Sequence, residues 1–360
     1  MGRQTAAAGR IRVRASLDLR KKPAFASVTI LACLGALELA SRLLILRSPN
    51  ARWKSNREMV KAFGFPALND LFQADEKLFW SLRPDLRDLH LEGRTPGSPI
   101  IRFTVSTDHE GRRLMSSSGA ARNTVLFLGD SCTFGFGVDD DQTFPSLVQK
   151  DLPDLRCINC GVPGYTSFQG RVLLEQLAPD PPPIAVVINF GFNDEQQWDD
   201  LSDVEHAAII AADGDRLMNQ IGICRMLRST IGSPFPVPSA GSATRKRSRL
   251  TDDEYAEQIC LILQHCHKAG WEPILLVWPQ FVQMSFYQLE VRKHGVLRKI
   301  ADEHHIPIVD LVPAFRSGRM RGPLFVDAVH ASQAGCQLVA QSLLPVLRNG
   351  TAETRDLPRR

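Results

Sequence analysis

The sequence predicts a doubly wound α/β domain, in which a five-stranded parallel sheet lies between two layers of helices. Five short apolar segments beyond residue 123 alternate with segments of helical periodicity, the pattern of a parallel sheet covered on both faces. Most of these apolar segments are continuous runs, as expected for strands buried on both sides. With 44% hydrophobic and 23% charged residues in 360, the composition is that of a globular protein.

The chain begins with a basic tail that leads into an apolar segment. Residues 1–23 hold seven cations and one anion, so the remainder is close to neutral and lacks the basic surface typical of nucleic-acid binding. Residues 24–46 would form a helix of roughly 35 Å, long enough to cross a membrane. The positive-inside rule then places the tail in the cytoplasm and the rest of the chain outside, as a single-pass, membrane-anchored protein.

Three alternatives to a retained anchor stay open. A cleaved signal peptide needs small residues after the apolar stretch, and Leu44-Ile45-Leu46-Arg47 does not supply them. A lipoprotein that begins at Cys33 conflicts with the apolar run that continues beyond this residue. A buried core helix is the third alternative, because the uninterrupted apolar part before Glu38 is short.

Residues 47–123 are interpreted as a tether followed by a small β-element. The tether, 47–69, is polar and of mixed charge. Aromatic and β-forming residues then cluster between 71 and 113, mainly at 78–80 and 100–105, a composition that favours short strands. We expect this β-element to pack beside the main domain.

From residue 124 to 348, predicted strands and helices alternate. The strands are 124–128, 156–159, 184–190, 274–277 and 306–309, and the helices are 144–151, 167–177, 252–269, 286–304 and 332–347. Thr251 and Glu254 form a capping box at the start of the third helix, and Gly270 ends it. Right-handed crossovers give a three-layer, flavodoxin-like arrangement, with residues 349–360 as a C-terminal tail.

One segment, 195–250, interrupts the alternation. It ends in a Pro- and Ser-rich stretch from Ser233 and a basic run at 245–249. This composition cannot bury a core and predicts a flexible, solvated loop. Because the segment leaves directly from a candidate site motif, it is either a lid over the site or a passive surface insertion.

Eight cysteines are present, seven of them beyond residue 46. If that part is exported, an odd number leaves at least one thiol unpaired or paired between chains. Cys157 and Cys160 have the spacing of a redox or half-zinc motif, but no second Cys-x-x-Cys and no suitably spaced His pair completes a zinc site. Free cysteines in and beside a buried strand are therefore favoured, and no metal or cofactor is predicted.

Four short polar stretches stand at or after predicted strand ends. Gly129-Asp130-Ser131 follows the first strand, 160–164 the second and 191–194 the third, and 327–330 lies just before the last helix. The C-terminal ends of parallel strands lie along one edge of a sheet, which is where ligands bind in open α/β folds. These stretches can therefore converge although they are far apart in the sequence.

The residue types at these positions suit acyl transfer. The hydroxyl of Ser131 is a nucleophile once a base takes its proton, and a histidine such as His330 exchanges protons near neutral pH. Asp327, three residues earlier, can orient the imidazole ring. The backbone N–H groups of Ser131 and Gly161 and the side-chain amide of Asn193 are candidate donors to a developing oxyanion.

Each residue also has a plainer interpretation. Gly-Asp-Ser and Asn193 are common in turns, and His330 can simply begin a helix or lie at the surface. Asp130 is interpreted as a structural hydrogen-bonding residue of the turn. Cys132 is a rival nucleophile, but a cysteine enzyme does not need the Gly-Asp-Ser setting.

The four stretches together, in order between residues 125 and 347, resemble the blocks of the SGNH, or GDSL-type, hydrolase family. Cys132 departs from the leucine that usually follows the serine of that family. The region before 124 and the insertion lie outside the blocks. The resemblance implies that Ser131 is the nucleophile and that Asp327 and His330 complete a catalytic triad with it. It also implies an oxyanion hole made by Ser131, Gly161 and Asn193.

The sequence therefore predicts a serine-dependent ester hydrolase that acts through an acyl-enzyme on a small-molecule or glycan ester. The predicted export favours O-acyl groups of envelope or extracellular substrates. Two alternatives stay open, an O-acyltransferase that modifies a glycan and an inactive glycan-binding or assembly protein. The oligomeric state is not predicted.

Overall fold

The computed structural model describes residues 65, 67–95, 97–115, 123–215, 247–318 and 323–353, with single helical residues at 29, 32, 33 and 35–37. The chain separates into two units, Met1–Ser48 with Ala212–Ala240, and Pro49–Ala211 with Gly241–Arg360. Most of the described residues belong to the second unit. The basic tail, most of the predicted anchor, the tether before residue 65 and residues 216–246 of the insertion lie outside the described residues. Within the described parts, no helix combines the length and apolar character that a membrane span requires.

Two antiparallel hairpins form the first part of the second unit, which we call the N-terminal β-element (residues 65–115). Its elements are a one-turn helix α1 (Leu68–Leu71) and the strands β1 (Phe72–Asp75), β2 (Phe79–Leu82), β3 (Leu89–Gly93) and β4 (Ile101–Val105). β1 pairs with β2, and β3 pairs with β4. Phe79 and Trp80 are fully buried, in one apolar cluster with Leu126 and Ile188 of the main sheet. The N-terminal β-element therefore packs on the main domain.

Five parallel strands form the central sheet. They are β5 (Asn123–Gly129), β6 (Leu155–Gly161), β7 (Pro183–Asn189), β8 (Glu272–Val277) and β9 (Ile308–Asp310). Their order across the sheet is β6-β5-β7-β8-β9, which is 2-1-3-4-5 within the sheet and is the flavodoxin-like doubly wound order. The predicted three-layer fold with a five-stranded parallel sheet is confirmed.

Helices cover the two faces of this sheet. In chain order they are α2 (Ser131–Phe134), α3 (Phe144–Asp151), α4 (Ser167–Gln176), α5 (Phe192–Glu195), α6 (Asp203–Asp215), α7 (Asp252–Ala269), α8 (Val282–Ser285), α9 (Arg292–His304), α10 (Val312–Arg316) and α11 (Gln333–Glu353), with a 3₁₀ turn at Asp140–Gln142. The capping box of Thr251 and Glu254 and the left-handed Gly270 bound α7 as predicted. Helices α4, α7 and α9 pack on one face, and α3, α10 and α11 on the other.

Successive side chains of each strand enter two separate apolar cores. On β5, Leu126 lies in one core and Phe127 in the other, as the two-residue period of a strand requires. Cys157 and Cys160, three residues apart on β6, are likewise divided between the cores, and both are free and buried. Burial raises the pKa of the Cys160 thiol to about 12. These two cysteines therefore act as small apolar side chains, as the sequence favoured.

The predicted helix 286–304 is wrong over residues 286–291, since α8 ends at Ser285 and α9 begins only at Arg292. Residues 286–290 are exposed, including Phe286, Tyr287 and Leu289. A short amphipathic helix depends on burial of its apolar face, and these apolar side chains have no core to cover. Helix α6, inside the insertion, was not predicted.

Candidate active site

Ser131 stands where β5 ends abruptly in a capped single turn of helix. The carboxylate of Asp130 accepts a hydrogen bond from the backbone N–H of Cys132 at 2.9 Å, and so caps the N-terminus of α2. Gly135, with φ of 84°, ends the turn in the left-handed conformation. The N–H of Ser131 belongs to the first helical turn, whose donors have no acceptor within the helix. Asp130 is thus the structural residue of the turn that the sequence suggested.

Asp327 and His330 are held by a tight loop that precedes α11. Oδ1 of Asp327 accepts the backbone N–H groups of Val329 at 2.9 Å and of His330 at 2.8 Å. The backbone N–H of Val326 donates to the carbonyl of His330 and closes the loop. A spacing of three residues therefore leaves Oδ2 of Asp327 free to face the imidazole ring.

The structure brings the three residues of the predicted triad together. His330 Nδ1 lies 2.7 Å from Asp327 Oδ2, and His330 Nε2 lies 2.8 Å from Ser131 Oγ. Since a carboxylate can only accept, Nδ1 carries the proton and the lone pair of Nε2 faces the hydroxyl. This is the arrangement in which a histidine removes a serine proton.

Two carboxyl groups with buried side chains near Ser131 differ in how readily they take up a proton. Burial alone would raise the pKa of Asp327, but the imidazole of His330 and the two backbone donors outweigh it and hold the pKa well below its usual range. Burial raises the pKa of Asp130 to about 6, although the N–H of Cys132 partly offsets this. Asp327 is therefore the permanent anion behind the imidazole.

Cys132 is unsuited to be the nucleophile. Its side chain is buried, and burial, with the nearby carboxylates of Asp130 and Asp327, raises the pKa of its thiol well above the usual value. Its Sγ lies 3.8 Å from the carbonyl oxygen of Val329. A cysteine reacts as its thiolate, so this environment favours Ser131.

Two of the predicted oxyanion donors are engaged inside the protein. The N–H of Gly161 donates to Oδ1 of Asn159 at 3.0 Å. The amide of Asn193 donates to Oδ2 of Asp130 and to the carbonyl of Tyr165, both at 3.1 Å. Asn193 lies beside the nucleophile turn, and it can serve an oxyanion only by exchanging one of these bonds.

The structure gives Gly161 a packing role. A Cβ at this position would lie 2.2 Å from the backbone nitrogen of Phe134. The absence of a side chain lets the end of β6 approach the helix that carries Ser131. The geometry therefore does not support the prediction that Gly161 is an oxyanion donor, because its N–H points to Asn159.

Three consecutive carbonyl groups after β6 each accept a hydrogen bond from a buried side chain. This loop, residues 162–166, is tied to the nucleophile strand by the N–H of Val162, which donates to the carbonyl of Gly129. Trp80 Nε1 donates to the carbonyl of Pro163 at 3.1 Å, and Arg249 Nη1 donates to that of Gly164 at 2.6 Å. Asn193 Nδ2 donates to the carbonyl of Tyr165 at 3.1 Å.

Gly164 is a candidate oxyanion donor that the sequence reasoning missed. A trans peptide is planar, so the N–H of Gly164 points opposite to the carbonyl of Pro163, away from Trp80. No acceptor for this N–H is found among the residues that the structure describes. Gly164 has φ of 84°, and a glycine directly after a proline was the available signal for a turn that needs this conformation.

The far end of the insertion is anchored in the core. Arg249 and Asp203 are both fully buried and form an ion pair of 2.8 Å, and the guanidinium lies 3.9 Å above the ring of Trp198. The prediction of a solvated basic loop is wrong at Arg249, because its charge is paired and its plane is stacked. The Pro- and Ser-rich stretch of the predicted loop lies outside the described residues.

Comparisons with known proteins identify the family of the chain. The sequence model of the GDSL-like lipase/acylhydrolase family matches residues 127–338, more than half of the chain. The chain is similar to "Esterase TesA" of Pseudomonas aeruginosa, with 38% identity over 79 residues, 21% of this chain and 39% of that protein. It is also similar to "Arylesterase" of Vibrio mimicus, with 32% identity over 84 residues, 22% of this chain and 42% of that protein. These matches span less than half the length of the two relatives.

The chain is also similar to solved structures. The crystal structure of TesA has a TM-score of 0.42 and 20% identity, and the comparison covers 63% of this chain and 99% of that chain. The crystal structure of the acetyl xylan esterase AlAXEase has a TM-score of 0.42 and 18% identity, over 62% of this chain and 99% of that chain. The N-terminal β-element precedes the part of the chain that the family model matches.

Proposed function

Since the chain belongs to the GDSL-like lipase/acylhydrolase family, we propose that it is a serine-dependent ester hydrolase that works through an acyl-enzyme. The observation that carries the proposal is the hydrogen-bonded chain from Ser131 through His330 to Asp327, with distances of 2.8 and 2.7 Å. The names of the two curated relatives, an esterase and an arylesterase, support an ester as the substrate.

In the proposed reaction, Ser131 Oγ attacks the ester carbonyl carbon while His330 Nε2 takes its proton. The carbonyl electron pair moves to oxygen, and the N–H groups of Ser131 and Gly164 are the donors offered to that charge. The ester C–O bond then breaks, and the leaving alkoxide takes the proton from His330. Water repeats the sequence on the acyl-enzyme and returns Ser131, while the ionised Asp327 stabilises the imidazolium at each stage.

The proposal is tested by treating the full chain with a fluorophosphonate and measuring its intact mass. We expect a single adduct, because only a serine activated by a base reacts rapidly with this reagent. Ser131→Ala should abolish the adduct, and Cys132→Ser should retain it. A folded wild-type chain that acquires no adduct, or an adduct that persists in Ser131→Ala, would refute the serine mechanism.

The proposed substrates are O-acyl groups of envelope or extracellular molecules, and this rests on the proposed location. Support for that location comes from the sequence alone, since seven cations precede the apolar segment 24–46. Alkaline phosphatase fused after Arg360 should be active in cells, because this reporter needs an oxidising compartment outside the cytoplasm. A green fluorescent protein fused at the same position and exported by the general secretion pathway should stay dark. The reverse pattern would overturn the topology and the substrate class, but not the esterase mechanism.

A further inference from the structure

The N-terminal β-element reaches the catalytic site at the carboxylate that orients the base. Oγ1 of Thr95 lies 3.1 Å from Oδ2 of Asp327, the same oxygen that faces His330 Nδ1. Asp327 is ionised and can only accept, so the hydroxyl of Thr95 is the donor. Thr95 precedes the family match by more than thirty residues, so the family blocks gave no indication of this contact.

Thr95 is held in place by its own loop. It lies between β3 and β4 and is only 9% exposed. Its N–H donates to Ser98 Oγ at 3.1 Å, and its carbonyl accepts from Ser98 Oγ at 2.9 Å and from the N–H of Ser98 at 3.0 Å. The backbone is therefore fixed by a tight turn, and the hydroxyl is directed at Asp327 before substrate binds.

The same hairpin also supports the imidazole ring. Phe136 lies against His330 with a ring separation of 4.6 Å. Phe103 of β4 contacts Phe136 edge-on at 5.0 Å, and Phe65 does so at 5.1 Å. The N-terminal β-element thus contacts Asp327 directly, through a hydrogen bond, and supports His330 indirectly, through the ring of Phe136.

We propose that Thr95 is a positioning residue of the catalytic site, which fixes the carboxylate of Asp327 and through it the ring of His330. The inference rests on the proposed esterase function. Asp327 Oδ2 accepts two hydrogen bonds, one from the ring and one from Thr95. Without the hydroxyl, the carboxylate still faces the ring, because Oδ1 keeps its two backbone donors, but Oδ2 loses the second bond that fixes its angle. More of its charge then falls on the ring N–H, which holds the proton on the imidazolium more firmly.

The test compares Thr95→Val, which removes the hydroxyl at nearly constant shape, with Thr95→Ser, which retains it. For a short p-nitrophenyl ester, Thr95→Val should lower kcat by about 3- to 10-fold with little change in KM. The acid limb of the kcat/KM profile should move to higher pH by roughly 0.3–0.5, because the base must be neutral to act. Thr95→Ser should restore both. Thr104→Val is the matched control, since the Thr104 hydroxyl bonds the exposed His90 in the same hairpin.

A second readout does not need turnover. The proton on His330 Nδ1, observed by NMR in ¹⁵N-histidine-labelled full chain, should change its chemical shift and its pH midpoint in Thr95→Val but not in Thr104→Val. If wild type acquires no fluorophosphonate adduct while this resonance responds, the esterase proposal falls and the positioning role of Thr95 stands. If Ser131 is labelled but Thr95→Val resembles Thr104→Val in profile and resonance, or Thr95→Ser fails to restore them, the positioning role is refuted.

Discussion

Ser131→Ala and His330→Ala should each lower kcat for a short p-nitrophenyl ester by about 10⁴- to 10⁶-fold, and the double variant should lose no more than either single variant. The reason is that the hydroxyl and the imidazole act as one unit across the 2.8 Å that separates them. Without the hydroxyl of Ser131, the imidazole has no nucleophile to deprotonate. Without the imidazole, the hydroxyl has no base to take its proton. Steady-state kinetics with the purified full chain measures all three variants.

A fold control accompanies these measurements. The circular dichroism of each variant should match that of wild type and unfolding should stay cooperative, because Ser131→Ala keeps a small side chain and His330→Ala removes a ring that packs on Phe136 alone among the described aromatic residues. If the two losses multiply in the double variant, the residues act independently and the proposed proton transfer between them is wrong. A Ser131→Ala variant that retains wild-type kcat would exclude Ser131 from the reaction.

Arg249→Met should destabilise the domain by about 3–5 kcal/mol, the range for breaking a buried ion pair from one side. The variant leaves the buried carboxylate of Asp203 without its cation and removes the donor to the carbonyl of Gly164. It also removes the stacking on Trp198. Urea unfolding of the full chain at neutral pH measures the free energy of unfolding.

Arg247→Met is the matched control, two residues earlier. Arg247 pairs with Glu205 at 3.0 Å, but both side chains are about one-third exposed or more, so its loss should change the free energy of unfolding by less than about 1 kcal/mol. If both variants lowered the free energy of unfolding equally, burial of the ion pair between Arg249 and Asp203 would not be the source of its stabilising effect. Replacing Asp203 by leucine in the Arg249→Met background should recover part of the loss, since no charge then stays buried alone.

The parts of the molecule that could be predicted from the sequence are those set by local chemistry and by the rules of parallel sheets. Continuous apolar runs located the strands, and the strand-end rule brought Ser131, Asn193 and His330 to one edge although they are widely separated in the chain. Local turn chemistry distinguished the structural Asp130 from the nucleophile. These features can be predicted because they depend on neighbouring residues in the sequence and on general rules of parallel sheets, and not on particular residues far away in the chain.

The parts that could not be predicted depend on distant partners. Gly161 and Gly164 both follow the predicted second strand, 156–159. Only the bonds made by Asn159 and Trp80 show which of the two N–H groups is already used. Arg249 looks like one more cation in a polar run until Asp203 is seen beside it. The bond between Thr95 and Asp327 spans 232 residues, and nothing local to a threonine in a hairpin loop indicates it.

The triad draws its nucleophile and its base from opposite ends of the family domain, and this orders its assembly in time. Ser131 and His330 are 199 residues apart, so at a translation rate of about 5–20 residues per second the serine leaves the ribosome roughly 10–40 s before the histidine that activates it. During that interval the nascent chain carries a serine without a base. The proposed hydrolytic activity therefore cannot start before His330 has been synthesised, and a nascent chain interrupted before Asp327 would lack it.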